Sequence, residues 1–208
     1  MVADRSEALA ASSGKDPVRE FFRLRCEKNV HILQLHSDDG TNRLTRDGIV
    51  ALSKQIATLA VAKKPLILTG NERFFSAGAD LQEISKLHAA SAYQLSRLGQ
   101  GLMNAIQSFP APVFAAISGF CLGGGLDLAL ACRHRIAAPN AVFGHRGAAL
   151  GLVTGWGGTQ RLPRLIGKAV ALELLAAAER LSAETALNLG LVEAVREDPI
   201  GEAVRRST

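Results

Sequence analysis

The run Phe120-Cys121-Leu122-Gly123-Gly124-Gly125-Leu126-Asp127-Leu128-Ala129-Leu130-Ala131-Cys132 places three consecutive glycines between two apolar segments. Ahead of it, Pro112-Val113-Phe114-Ala115-Ala116-Ile117 is a short apolar run bounded by Pro and Gly, which reads as a buried strand. Behind the glycines, Leu126, Leu128, Leu130 and two alanines continue without a breaker, as in a helix buried on most sides. The glycines therefore fall where a strand passes into a helix. Glycine at such a junction lets backbone N–H groups approach a ligand closely, and the helix start adds partial positive charge, so the junction suits an anion. Asp127 sits in the first helical turn, a single carboxylate in apolar surroundings. Tight strand–helix packing would demand the same glycines, so the run by itself does not specify a ligand. No G-x-G-x-x-G fits over residues 119–125, and neither Gly14-Lys15 nor Gly167-Lys168 is followed by Ser or Thr. These gaps exclude the dinucleotide fingerprint and the P-loop.

The chain has 208 residues, 48% hydrophobic and 21% charged, which is ordinary for a globular protein able to bury a sizeable core. Its apolar stretches are too short or too interrupted to span a bilayer, so no membrane association is expected. Residues 1–16 are polar, Ala/Ser-rich and without a secretory apolar segment, and are expected to form a flexible tail. The 3 cysteines (Cys26, Cys121, Cys132) are read as buried free thiols in a reducing compartment, which points to the cytoplasm. No His/Cys/Asp/Glu cluster has metal-ligand spacing, so no metal is expected. The net charge of +5 is scattered, with 1 Trp and 1 Tyr, which argues against nucleic acid and leaves room for a small phosphate-bearing ligand.

Alternating patterns over residues 19–27 and 30–36 read as two strands, the first with Phe22, Leu24 and Cys26 on one face; His31 and His36 are expected on the strand surface. Ser37-Asp38-Asp39-Gly40 is turn chemistry. Ile49, Leu52, Ile56 and Leu59 recur at helical spacing behind a Thr45 cap, and residues 65–69 form a third buried strand. This order of strands and helix indicates an α/β domain with crossover connections. Residues 70–81, which include Phe74-Phe75-Ser76-Ala77-Gly78-Ala79-Asp80-Leu81, read as a loop entering a helix near Asp80. A long helix over residues 90–109 follows it. Gly78 frees the backbone so that the Ala79 N–H can face a site; an ordinary loop capped by Asp80 accounts for the same residues. Two N–H groups converging on one oxygen make an oxyanion hole, and each donor is typically worth about 2.7–4 kcal/mol of transition-state stabilisation. A thioester carbonyl becoming an enolate would fit such a hole.

Three segments resemble the crotonase (enoyl-CoA hydratase/isomerase) superfamily: residues 74–81, residues 119–130, and Gly155-Trp156-Gly157-Gly158-Thr159-Gln160-Arg161-Leu162. Their order and separations match that family over roughly residues 19–195. The resemblance implies a spiral of ββα units over residues 17–166 with a coenzyme A thioester as substrate and no separate cofactor. It places the oxyanion hole at the N–H groups of Ala79 and Gly124. It also implies CoA contacts at Arg73, Ala77, Asp80 and Leu81, with Asn42 and Leu44 matching the family's Asn-x-Leu. The assembly it implies is a homotrimer or a dimer of trimers.

The departures bear on mechanism. Hydratases of this family use two glutamates. The first aligns with Asp127 and the second with Gly147, which carries no proton, while a position that holds a catalytic Asp in some members aligns with Gly155. Loss of a positioned acid/base typically removes about 10²–10⁴-fold in rate. His145 and Arg146 are possible compensating groups, although their flanking positions predict that they point away from the pocket or towards a subunit interface. No G-x-S-x-G elbow accompanies Ser76 or Ser118. Residues 167–208 read as a C-terminal helical segment shorter than usual for the family, with Ser182 as a cap, Gly190 as a stop and a short extended stretch over residues 191–195. The resulting expectation is an acyl-CoA enzyme of the hydratase/isomerase type, a lyase or isomerase in fatty acid metabolism, with an atypical acid/base set centred on Asp127. The alternatives are decarboxylation or thioester hydrolysis on the same scaffold, or a degenerate CoA-binding subunit.

Overall fold

The computed structural model describes residues 20–207, so the expected tail over residues 1–16 lies outside the described residues. Strands β1 (Phe22–Glu27) and β2 (Val30–Leu35) pair antiparallel. Helix α1 (Arg46–Ala60) then begins at Thr45, whose hydroxyl accepts the Gly48 N–H, a cap worth about 1 kcal/mol. Ile49, Leu52, Ile56 and Leu59 are buried along α1, as their spacing predicts. Three crossover units follow, each of which leaves one strand in each of two sheets. The first is β3 (Leu66–Thr69), β4 (Phe74–Ser76), a one-turn helix α2 (Leu81–Ile84) and α3 (Ala89–Gln107). The second is β5 (Val113–Ile117), β6 (Phe120–Leu122) and α4 (Gly124–Ala131). The third is β7 (His134–Ala137), β8 (Val142–Gly144), a 3₁₀ turn (Ala148–Leu150) and α5 (Gly158–Ile166). Helix α6 (Lys168–Ala177), β9 (Arg180–Ser182), α7 (Ala183–Asn188), β10 (Ala194–Val195) and α8 (Pro199–Ser207) complete the described chain.

The larger sheet has six strands in the order β1-β2-β3-β5-β7-β10, parallel from β2 onward, and the smaller has four, β4-β6-β8-β9. The central strands are apolar on both faces because both faces are covered. Leu33, Leu66, Leu68, Val113, Ala115 and Ile117 join the main core with α1 and α3. The alternate residues Ile32, Ile67, Phe114 and Ala116 form a second core with Ala203 and Val204 of α8.

Five local readings are corrected. Residues 74–76 are a strand rather than loop, and Phe120–Leu122 is a second-sheet strand lying between the buried strand and the glycine helix. β9 likewise interrupts the helical C-terminal segment. In the edge strand β1 only Phe22 is buried; Leu24 and Cys26 are exposed, so Cys26 is not a buried thiol. His31 is only partly at the surface, since its Nε2 is buried without a partner among the described residues.

Candidate active site

Two turns carry the backbone of the pocket. The first joins β4 to α2 and turns at Gly78 (φ +94°); the second joins β6 to α4 and turns at Gly123 (φ +51°), both in the region where glycine is favoured. The turns are in contact. A β-carbon on Gly78 would stand 2.9 Å from the Gly124 nitrogen, and one on Gly124 would stand 3.3 Å from the Ala79 nitrogen. The first turn is held from behind by a bridge to Leu44, whose N–H donates to the Gly78 carbonyl at 2.8 Å. Neither the Ala79 N–H nor the Gly124 N–H donates to a backbone acceptor among the described residues. Gly124 opens α4 behind a Gly123 cap that supplies no side-chain acceptor, so its N–H belongs to the unsatisfied helix start.

These turns line a cavity of about 570 Å³. Ala77, Leu81, Ile84 and Leu95 contribute an apolar wall, and Asp127, His145 and Arg146 bring polarity. Trp156 stands beside Gly124, where a β-carbon would collide with its ring. Residues 125–131 of α4 are all buried, and Asp127 is their single charge, 2% exposed. Its Oδ1 lies 3.1 Å from His145 Nε2, and its Oδ2 accepts the Thr154 hydroxyl at 2.6 Å. Asp127 is thus held by side chains, not by backbone donors at a helix start. The second glycine of Gly157-Gly158-Thr159 makes this cluster possible. A β-carbon on Gly158 would overlap Asp127 Oδ1 and stand 2.8 Å from His145 Nε2. Burial lowers the Arg161 pKa, and the Asp127 charge works against that lowering. Arg161 itself is fixed by Gln107, Asn104 and the Trp156 carbonyl.

The sequence-derived site residues are distributed unevenly around this cavity. Ala77, Ala79, Leu81, Gly124 and Asp127 line it together. The Asp80 side chain caps α2 through the N–H groups of Gln82 and Glu83 and pairs with Arg43 at 3.1 Å, and Asp80 does not line the cavity. Arg73 also lies off the cavity lining; its guanidinium packs 6.0 Å from the Phe74 ring centroid, and its carbonyl accepts the Phe120 N–H. The orientation expected for His145 is overturned: the ring is buried, lines the cavity and meets Asp127. The carboxylate draws the ring inward against α4, a pairing that flanking position alone does not reveal. Arg146 is exposed along the same cavity. Thr154 and Gly158 were missed as members of the Asp127 cluster; the signal available was their place in and next to the Gly155–Leu162 segment. Among the described residues no group of three or more His, Cys, Asp or Glu is arranged to hold a metal, and no helix is long and apolar enough to cross a membrane.

The family model described as enoyl-CoA hydratase/isomerase matches residues 25–205. A probable enoyl-CoA hydratase of Bacillus subtilis is 48% identical over 136 residues, covering 65% of this chain and 53% of the relative. A crotonyl-CoA hydratase of Syntrophomonas wolfei is 40% identical over 177 residues, covering 83% and 67%. The chain therefore spans about half the length of the first relative and two thirds of the second. Among solved structures, Pseudomonas aeruginosa DspI superposes with a TM-score of 0.86 at 33% identity, over 95% of this chain and 76% of that one. An enoyl-CoA hydratase from Bacillus anthracis superposes with a TM-score of 0.82 at 34% identity, over 90% and 73%.

Proposed function

We propose that this chain, which belongs to the enoyl-CoA hydratase/isomerase family, binds an acyl-CoA thioester in the 570 Å³ cavity and adds water to, or isomerises, its unsaturated acyl group. The observation that carries this reading is the contact between the two turns that present the unpartnered N–H groups of Ala79 and Gly124 beside Asp127. Two backbone donors aimed at one thioester oxygen would stabilise the charge that develops when the C2–C3 bond is polarised, without reorganising during the reaction. The acid/base work falls to the group built around Asp127, because Gly147 has no side chain to share it. Arg73, Ala77, Asp80 and Leu81 are proposed to meet the CoA portion, Ala77 and Leu81 from the cavity wall. No separate cofactor enters this reading, and the reaction belongs with fatty acid metabolism in the cytoplasm.

The test is the loss of ultraviolet absorbance of 2-enoyl-CoA thioesters of several chain lengths on adding the protein, with acyl-CoA binding followed by calorimetry. Loss of absorbance at one chain length is the expected result. Binding without loss at any length would replace this reading with that of a degenerate CoA-binding subunit.

A further inference from the structure

We propose that His145 is the group that carries the proton in this pocket, with Asp127 as the positioning residue that orients it. The inference rests on the acyl-CoA reading above and assigns the missing half of its acid/base set. Asp127 has little capacity to act directly, since one oxygen faces His145 Nε2 at 3.1 Å and the other receives the Thr154 hydroxyl at 2.6 Å. Against a carboxylate oxygen, the imidazole places its hydrogen on Nε2, which leaves Nδ1 as the lone-pair nitrogen. Nδ1 makes no hydrogen bond among the described residues. It is not sealed in either. Among the described residues, the buried side-chain nitrogens and oxygens without a partner are His31 Nε2 and Asn42 Oδ1. A ring that is 3% exposed, lines the cavity and has one nitrogen unoccupied therefore offers that nitrogen to whatever enters. Carboxylate, imidazole and a vacant ring nitrogen form the arrangement by which a base is oriented by a third group.

For hydration the proton balance closes on this one ring. The oxygen of a water molecule bonds to C3 of the enoyl thioester as its proton passes to His145 Nδ1. The C2–C3 π pair shifts into the C1–C2 bond as the carbonyl π pair moves onto the thioester oxygen, held by the Ala79 and Gly124 N–H groups. The imidazolium then returns the Nδ1 proton to C2 and the carbonyl re-forms, so one water is added and the ring is regenerated. Gly147 is not needed in this sequence.

The experiment compares the wild type with His145→Gln and His145→Ala. Glutamine can keep a hydrogen bond to Asp127 but cannot carry a proton. Each variant is checked for fold by circular dichroism and for acyl-CoA binding by calorimetry. Two rates are read: hydration of an enoyl-CoA, and exchange of the C2 hydrogens of a saturated acyl-CoA in deuterated water. The expected result is a loss of about 10²–10⁴-fold in both rates for both variants. Acyl-CoA affinity should hold, and free imidazole should restore turnover to His145→Ala. A His145→Gln variant at the wild-type rate, or a His145→Ala variant that does not answer to imidazole, overturns the assignment while leaving the acyl-CoA reading intact. A wild type that binds acyl-CoA yet neither hydrates nor exchanges overturns both.

Discussion

Gly158 and Gly147 show how much of the pocket depends on the absence of a single carbon. At Gly158 a methyl group would enter the space between Asp127 Oδ1 and His145 Nε2. Gly158→Ala is therefore expected to part the carboxylate from the ring and lower turnover by at least about tenfold, with a stability loss of about 1–3 kcal/mol from overpacking. Enoyl-CoA absorbance and a thermal melt check the two effects separately; full activity would mean that the contact is dispensable. At Gly147 the backbone angles (φ −57°, ψ −44°) suit any residue, but a β-carbon would stand 2.8 Å from the Leu152 carbonyl oxygen. That carbonyl belongs to the turn closed by the Leu152 N–H donating to the Gly147 carbonyl at 2.9 Å. Gly147→Glu, which on sequence alone should restore a hydratase carboxylate, therefore has to shift this backbone. It is expected to lower the melting temperature, and a raised hydration rate at unchanged stability would count against the packing seen here.

At the scale of elements, α8 is held onto the larger sheet by Ala203 and Val204, while Glu202, also buried, ties together the helix's own last turn. Glu202 accepts hydrogen bonds from Arg205 at 2.7 and 2.9 Å and from Arg206 at 2.8 Å, and these bonds hold its carboxyl below the ordinary 4.5. A carboxyl whose folded value is depressed adds stability that is present above its unfolded value and lost as pH falls through the folded one. The Glu202 contribution is thus expected in full above about pH 4.5 and to fade below it. Glu202→Gln should remove that part of the acid limb of a stability–pH curve; an unaltered limb would show that the pairing contributes nothing. The small sheet is the element-level feature that sequence pattern does not reveal. Its strands β4, β6, β8 and β9 are three residues each, too short for alternation to register, and only pairing with distant segments assigns them, parallel among β4, β6 and β8 and antiparallel between β8 and β9.

For the molecule as a whole, the main core separates two of its thiols from the third. Burial pushes Cys132 up to about 12 and Cys121 well above the usual thiol value, with the charges of Cys132 and Asp127 adding to the rise at Cys121. Cys26 lies exposed on the edge strand. A native titration with a thiol reagent should find one fast-reacting group, and denaturation should release the other two; fast reaction of all three would show that the core opens readily. We also propose a homotrimer or a dimer of trimers, supported by the exposed apolar side chain Leu172 and by Leu150 and Val153, which are exposed at the cavity. Light scattering should then return about three or about six times the 22.0 kDa of one chain, and a monomer mass would dismiss both.

Local pattern by itself determined the long elements and both turns. The capped helix at Thr45, the buried strands over residues 66–69 and 113–117, and the glycine junctions at Gly78 and Gly123 follow from periodicity, capping and conformational freedom within a few residues. Family resemblance brought Ala79, Gly124 and Asp127 to one site before any coordinates. Only the tertiary structure decided what Asp127 does with its charge. His145 lies 18 residues away and Thr154 lies 27, on segments outside α4, and Gly158 makes room for both. A buried carboxylate has to find partners wherever the fold supplies them, because its solvation is lost. Sequence spacing carries no record of which distant side chains will come within hydrogen-bond reach.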